Sequence, residues 1–390
     1  MTLTVQTAAS GVARTAHYIL PTGATTPIQT LLTEPQASNL CLQSEDFSLT
    51  WSAIGTPVLT AGTSTASGVS LSTVEDDDAA ALEGYSQVIT FTGNAVKVVS
   101  LYVKQGTSTS SVVRLRQTSG TAADRLLATI TWSAGVPVVT MTTGTFLRTT
   151  ALVDGVYRVM LRTTSVTAAE TNQIELYPAT DNTLSVANTG TLLMGGVQVG
   201  NAEFVSSYIK TTTTTATRQQ DVLYWSDADF TPRALTVYVR GVNIGYQPHA
   251  ALQRTVFQLG SDAGGVSGAY FRIQASASSA NYVASYRDGT NANSSGNISL
   301  SGLNPNDLIE FRAVLLSNAQ VYFGTSINGG AETVSTTSAG SATLVSAFTE
   351  ARLYSGASMS SRAALSAWTH AVVLDGEQTL AQCRAIAGVV

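Results

Sequence analysis

Apolar and polar residues alternate with a period of two through most of this chain. In Val99-Ser100-Leu101-Tyr102-Val103-Lys104 one face carries Val99, Leu101 and Val103 and the other Ser100, Tyr102 and Lys104, the pattern of a strand with one face buried. The same alternation sets Val113 and Leu115 against Arg114 and Arg116, and Tyr157, Val159 and Leu161 against Arg158 and Arg162. A helix would scatter these positions around all its faces. Ser119-Gly120, Ser133-Ala134-Gly135 and Asp154-Gly155 interrupt the runs at strand-plus-turn spacing, which predicts an antiparallel sandwich or jelly roll over residues 31–221.

The pattern resumes after the threonine tract Thr211 to Thr217, which has no apolar face and marks the expected domain boundary, although threonine also suits an extended strand. Leu235, Val237 and Val239 alternate with Thr236, Tyr238 and Arg240; Phe271 and Ile273, then Ile309, Phe311, Ala313 and Leu315, repeat it. These runs predict a second all-β domain over 222–390. Near the end, Asp375 is read as a helix cap with Gln378 three residues on, and Leu380, Cys383 and Ile386 recur every third residue, which predicts a short terminal helix. Residues 1–30 scatter their apolar positions among Thr, Ala and Gly, with Pro21 and Pro27 as breaks, and are read as an extended arm. The fold class expected is therefore all-β: two antiparallel β-sandwiches, an N-terminal arm and a small C-terminal helix.

Composition narrows the function classes. The 390 residues suit two domains of roughly 150 to 200 residues each. With 44% hydrophobic and only 12% charged residues, the chain can bury sizeable cores and lacks the composition of disorder. A net charge of −5 without a Lys/Arg cluster argues against a nucleic-acid partner, because phosphate binding needs concentrated positive charge. No stretch of about 18 apolar residues reads as a membrane span, and no basic-then-apolar leader opens the sequence, so synthesis in the cytoplasm without a signal peptide is expected. Cys41 and Cys383 lie near opposite ends, give no disulfide framework or metal spacing, and are read as buried thiols.

Several ordered phrases carry a resemblance. Leu31-Leu32-Thr33-Glu34-Pro35 leads through Asn39-Leu40 and Ser44-Glu45-Asp46-Phe47 to Trp51; Ser206-Ser207-Tyr208-Ile209-Lys210 leads through the threonine tract to Thr217-Arg218 and Asp221-Val222. Between them lie Tyr102-Val103-Lys104-Gln105-Gly106, Gly155-Val156-Tyr157-Arg158-Val159 and Gly195-Gly196-Val197-Gln198-Val199. Together they resemble a jelly-roll, carbohydrate-binding-like module that recurs in fibre, spike and decoration proteins on the virion surface of tailed bacteriophages. The chain departs from that pattern at Ala37-Ser38, where Arg-Thr is common, and at Lys210, where proline is common. The strand Ala371-Val372-Val373-Leu374 followed by the terminal helix resembles the close of concanavalin A-like, laminin G-like domains.

The resemblance implies a non-enzymatic virion-surface protein. Other head or tail proteins would be partners through residues 1–30, with a homo-oligomer, a trimer by likeness to fibres and spikes, and host-surface glycans as a ligand. Purely architectural capsid decoration, or cement, is the alternative. A glycan-degrading enzyme is a third reading, but it needs two carboxylates held roughly 5 to 10 Å apart across a sugar, and no solenoid repeat of the depolymerase type is evident.

Candidate chemistry is sparse. His17, His249 and His370 have no metal-ligand spacing, no G-x-S-x-G setting holds a serine, and no glycine loop suits a phosphate. No cofactor is expected. Glu75-Asp76-Asp77-Asp78 offers oxygen ligands for calcium, chiefly Asp76 and Asp78, but lacks the spaced acidic loop of a dedicated site, so no metal is expected and the run is read first as a solvated turn. Sugars stack on aromatic rings and hydrogen-bond to Asp, Asn and Arg. Two groups suit this: Tyr224, Trp225 and Asp227, with Asp229 nearby, and Tyr282, Tyr286, Arg287, Asp288 and Asn291. The plain reading of aromatic residues as structure competes there, and Trp51, Trp132 and Trp368 are read as core anchors.

Overall fold

A computed structural model describes residues 4–6, 15–18, 28–33, 36–66, 68–186, 188–202, 205–218, 222–230, 234–243, 254–260, 269–275, 281–300, 303, 307–336, 342–344, 348–353 and 366–387. The chain divides into two compact units: one is 37–218, and the other combines 1–36 with 219–390.

Strand order makes the 37–218 unit a jelly roll. One sheet holds Val69–Asp76, Gly190–Gly200, Val98–Gln105 and Val156–Arg162 side by side, and the other holds Gly84–Ile89, Asn172–Tyr177, Ser110–Gln117 and Ala123–Ser133. Starting at Val69 the chain crosses between sheets at each of the next three connections, runs one hairpin within the second sheet, and then crosses back and forth to finish at Gly200. Hairpin partners Val136–Thr143 and Thr145–Ala151 extend the two sheets on one side. Two of the predicted turns close hairpins with consecutive positive φ values, Ala134-Gly135 at 50° and 79° and Asp154-Gly155 at 58° and 69°. That backbone twist matches the right-handed twist of the flanking strands.

The predicted alternation fills the core. Val99, Leu101, Val103, Val113, Leu115, Val159 and Leu161 are buried between the sheets, with Trp51 and Phe47 among them. The opposite face of Val98–Gln105 was expected to be polar and solvated, yet Ser100 and Tyr102 are also buried. Tyr102 packs with Val69, Leu71 and Val156, and Tyr208 covers it edge-on at 5.6 Å between ring centroids. A strand at the centre of a sheet thus acquires a second small core where the closing segment returns over it.

The second unit packs two antiparallel sheets in a concanavalin-like sandwich. In one sheet Val222–Phe230, Phe348–Leu353, Arg254–Leu259, Ala269–Ala275 and Asn281–Asp288 are neighbours; in the other the order is Ser366–Asp375, Leu235–Asn243, Leu308–Leu315, Val321–Ile327 and Thr333–Thr336. Val237, Val239, Phe271, Ile273, Phe311, Ala313 and Leu315 form its core with Tyr286 and Phe348.

Two expectations change here. The segment read as an extended arm contributes strands to this second unit: Thr4–Gln6 pairs with Val222–Phe230, and Ile28–Thr33 pairs with both Thr15–Tyr18 and Ser366–Asp375. The boundaries accordingly fall at 37 and 218, and Ala216–Arg218, the end of the threonine tract, is a strand paired with Ala37–Asn39. The terminal helix begins later than expected. Asp375 is the last residue of a strand, Gly376 turns at a φ of 75°, and Thr379 caps the helix Leu380–Ile386 through a capping box with Gln382. Leu380 and Cys383 are buried, but Ile386 is 56% exposed, because a three-residue repeat drifts off the 3.6-residue helical face.

That helix sits on a polar network. The Tyr238 hydroxyl donates to Glu310 Oε1 at 2.6 Å, and the Arg384 guanidinium bonds both Glu310 oxygens and, at 3.0 Å, Ser326 Oγ. Burial pushes the Glu310 carboxyl up, and the bonds from Arg384 and Tyr238 outweigh it, holding the group below its usual range. Beside it, Arg312 forks onto Glu332 at 2.7 and 3.0 Å and donates to Gln378 O, anchoring the segment that leads into the helix.

Candidate functional site

Four of the phrases that carry the resemblance, at 39–40, 44–47, 195–199 and 206–210, meet in space and close the jelly roll. Asn39 is fully buried and uses its whole amide: Nδ2 donates to Val197 O at 3.0 Å and Ile209 O at 2.8 Å, while Oδ1 accepts from the Cys41 and Val199 amides, each at 3.1 Å. The Ser44 hydroxyl pairs with Tyr208 Oη at 2.5 Å and accepts from the Thr211 amide at 3.0 Å; Tyr208 Oη also donates to Glu45 Oε1 at 3.1 Å. Thr211 Oγ1 donates to Cys41 O, and Gln198 bridges Ser206 Oγ and the Ile209 amide. Gly195-Gly196 forms an irregularity in the pairing with Val98–Gln105 that lets this closure pass. Gly196 has a φ of 56°, and a Cβ there would lie 2.6 Å from Tyr102 Cδ2 and 2.7 Å from Val69 Cγ1. Of the departures from the family pattern, Lys210 bonds Glu45 at 2.8 Å with its own side chain 60% exposed, and Ser38 bonds Thr217. These phrases do structural work.

The predicted glycan residues do not converge. Tyr286 is fully buried, donates to Thr343 O at 2.6 Å and packs edge-on against Phe348, so its ring is not free to stack on a sugar. Tyr282 packs on Phe311 at 5.1 Å. Asp288 spends its carboxylate on backbone amides: Oδ2 accepts from Thr343 of a distant segment and Oδ1 from Thr290 and Asn291 of its own turn, which holds its pKa down at about 2. Asn291 returns a carbonyl to the Asp288 amide, closing the same turn. Tyr224, Trp225 and Asp227 lie on the strand Val222–Phe230, but their side chains fall outside the described residues, as do those of His17, His249, Trp368 and His370.

Arg287 alone of the predicted group belongs to a polar sheet face. Strand register sets it opposite Tyr270 and sets Ser285 opposite Arg272, whose guanidinium lies 4.1 Å above the Tyr270 ring. Gln274 follows on the same face. Arg287 Nε, Ser285 Oγ and Gln274 Oε1 are buried atoms without a hydrogen-bond partner, a condition rare in proteins and completed elsewhere by water or ligand. Sequence reasoning missed Tyr270, Arg272 and Ser285, because what unites them is cross-strand register between segments more than ten residues apart.

The acidic run is only partly solvated. Asp76 and Glu83 are both buried, and burial, with repulsion from Glu83, raises the Asp76 carboxyl to about 6 despite backbone bonds that act the other way. Glu83 had not been singled out, since it lies across the loop from the run. Among the described residues no three His, Cys, Asp or Glu side chains group as a metal-ligand set, and no helix is long and apolar enough to cross a membrane. Cys41 and Cys383 are buried free thiols, as read from sequence, and burial raises both pKa values, that of Cys383 to about 11.

No protein-family model matches the chain, and no curated protein matches it. Among solved structures, domains LG4-5 of the mouse laminin alpha1 chain are similar at 8% identity with a TM-score of 0.25, over 90% of this chain and 94% of that one. Strand order and pairing stand without that likeness, and by them the chain is an all-β protein of two antiparallel sandwiches, one a jelly roll and one concanavalin-like.

Proposed function

We propose that this chain is a non-enzymatic structural protein of a tailed phage or phage-like particle, exposed on the virion as a fibre, spike or decorating subunit, whose second sandwich engages host-surface glycans. The observation that carries the reading is the closure around Asn39. Four of the phrases on which the phage resemblance rests, at 39–40, 44–47, 195–199 and 206–210, are far apart in sequence yet assemble into one hydrogen-bonded clasp of the 37–218 unit. Glycan engagement draws on Arg287, a partly buried side chain whose Nε has no hydrogen-bond partner, at a sheet face where Arg272 already covers the buried Tyr270 ring and Ser285 is buried. Many copies on one particle would raise a weak single-site affinity, because later contacts become intramolecular.

Capsid cement is the second reading, favoured by the burial of Tyr286 and the engagement of both Asp288 oxygens by backbone amides of its own turn and of Thr343. Image reconstruction of particles carrying the chain, joined to a glycan array with the purified protein, separates the two. The adhesion reading expects the second unit to project into solvent and bind sugar, with binding reduced at least tenfold by Arg287→Ala. A chain lying flat across capsid subunits with no glycan signal leaves cement, and absence of the chain from purified particles overturns both.

A further inference from the structure

Lys97 and Asn201 sit where two neighbouring jelly-roll strands end. Val98 opens Val98–Gln105, Gly200 closes Gly190–Gly200, and the two are register partners, so Lys97 and Asn201 are the next residues outward. Lys97 is 3% exposed. Its Nζ donates to Asn201 Oδ1 and to Asn201 O, each at 3.0 Å, and the Phe91 ring centroid lies 5.4 Å from it. Thr163 Oγ1 accepts from the Lys97 amide at 2.8 Å and fixes the backbone from which the side chain extends. The Asn201 carboxamide is clamped as well: Oδ1 accepts a second bond from the Thr92 amide at 3.3 Å, and Nδ2 donates to Thr92 Oγ1. A buried primary amine is thus held against a carboxamide whose oxygen takes two donors and whose nitrogen rests on a hydroxyl.

This geometry suits the exchange of one amide for another. We propose that Lys97 and Asn201 join in an isopeptide bond that the folded chain forms by itself. Lys97 Nζ attacks Asn201 Cγ, the Nζ–Cγ bond forms, the Cγ–Nδ2 bond breaks, and Nδ2 departs as ammonia with a proton that Nζ gives up. Nothing is oxidised or reduced, and no co-reactant is consumed. Fixing amine and amide side by side turns a bimolecular reaction into an intramolecular one. The Thr92 amide on Oδ1 is placed to stabilise the negative charge that develops on that oxygen, and Thr92 Oγ1 to hand a proton to the departing nitrogen. Burial favours the neutral amine, which is the attacking form, and keeps water from competing with it. The bond would pin the start of one strand to the end of its neighbour, closing a covalent ring that includes every jelly-roll strand between them.

The intact mass of the purified full chain, measured after unfolding in denaturant, tests this directly. The chain is expected to be lighter than its sequence mass by one ammonia, and a digest should contain a peptide pair joined through Lys97 and Asn201. Lys97→Arg and Asn201→Ala should each restore the sequence mass, yield no joined pair and unfold at lower denaturant than the wild type. Thr92→Val keeps the backbone amide and removes the hydroxyl, so a larger share of its chains should remain unjoined soon after synthesis. A folded wild-type chain at its full sequence mass overturns the proposal and leaves an ordinary hydrogen bond between the two side chains. Loss of ammonia that persists in Lys97→Arg also overturns it, since that marks an asparagine closing on its own backbone. The wild-type digest decides the matter even where a variant fails to fold, because the joined pair is either present or absent.

Discussion

Asn39 shows how much of the jelly roll hangs on single side chains. Its amide satisfies two carbonyls and two amides that would otherwise be buried without partners. Asn39→Ala should therefore cost about 3 kcal/mol or more, read as a lower denaturant midpoint for the 37–218 unit. Asn39→Asp should be comparably damaging, since it turns a carboxylate toward two carbonyl oxygens. Gly196→Ala meets both a left-handed backbone and the Tyr102 and Val69 side chains, and a loss of about 2 to 4 kcal/mol is expected in the same measurement. The phrases containing these residues were visible in the sequence; their role was not, because three of the four Asn39 hydrogen bonds span more than 150 residues of chain. For Tyr286 the sequence left a structural and a ligand reading open, and the structural one describes its surroundings. On Asn281–Asp288 the core face carries Tyr282, Ala284 and Tyr286 and the opposite face Val283, Ser285 and Arg287, so the alternation was present, but the phenol's bond to Thr343 comes from a distant segment. Asp288 gives a pH prediction with a definite sign. Its folded pKa of about 2 lies below the ordinary aspartate value of about 3.9, so its contribution is present above about pH 4 and is lost as pH falls towards 2. Wild-type stability should drop more steeply across that window than that of Asp288→Asn.

At the scale of elements, strands were legible wherever one face was apolar and the other polar, as at Val113 and Leu115 against Arg114 and Arg116. The terminal helix was legible in existence and blurred at its start. Thr379 and Gln382 cap it, while Asp375 stays in its strand because Val372 and Val373 continue the ladder with Leu235–Asn243. What fixes the helix to the sheet could not be read from periodicity, since Glu310 and Arg384 lie on opposite sides of a long stretch of sequence. Arg384→Ala leaves Glu310 charged, buried and short of a partner. With the Arg384 side chain 27% exposed, a cost of about 2 kcal/mol is expected, at the lower side of buried-pair deletions. Hydrogen exchange should localise the effect: amides of Leu380–Ile386 lose protection first, while the strand Leu308–Leu315 keeps it. Uniform loss across the unit would mean that the helix is integral to the sandwich and not docked on it.

At the scale of the whole molecule, the decisive structural fact is that the chain leaves one sandwich to build the other and then returns. Residues 1–36 belong with 219–390, so the jelly roll is an insertion between the first strands of the concanavalin-like unit and the rest. Composition could not reveal this, because residues 1–30 are low in charge and broken by proline whether they form an arm or edge strands. The arrangement makes truncation asymmetric. A fragment spanning 37–218 retains its clasp, its core and every strand pair of the jelly roll, and should fold alone with a β-type circular dichroism spectrum and a single cooperative transition. A fragment spanning 219–390 loses Ile28–Thr33 from the side of Ser366–Asp375 and Thr4–Gln6 from the side of Val222–Phe230, which leaves two sheet edges unpaired. Such edges template strand addition between chains, so this fragment should aggregate or melt lower than the same unit in the intact protein. Supplying residues 1–36 through a short glycine-serine linker should restore it. Equal stability of the fragment with and without residues 1–36 would show that the first segment is an arm after all, free to dock on a neighbouring subunit or on another protein of the particle.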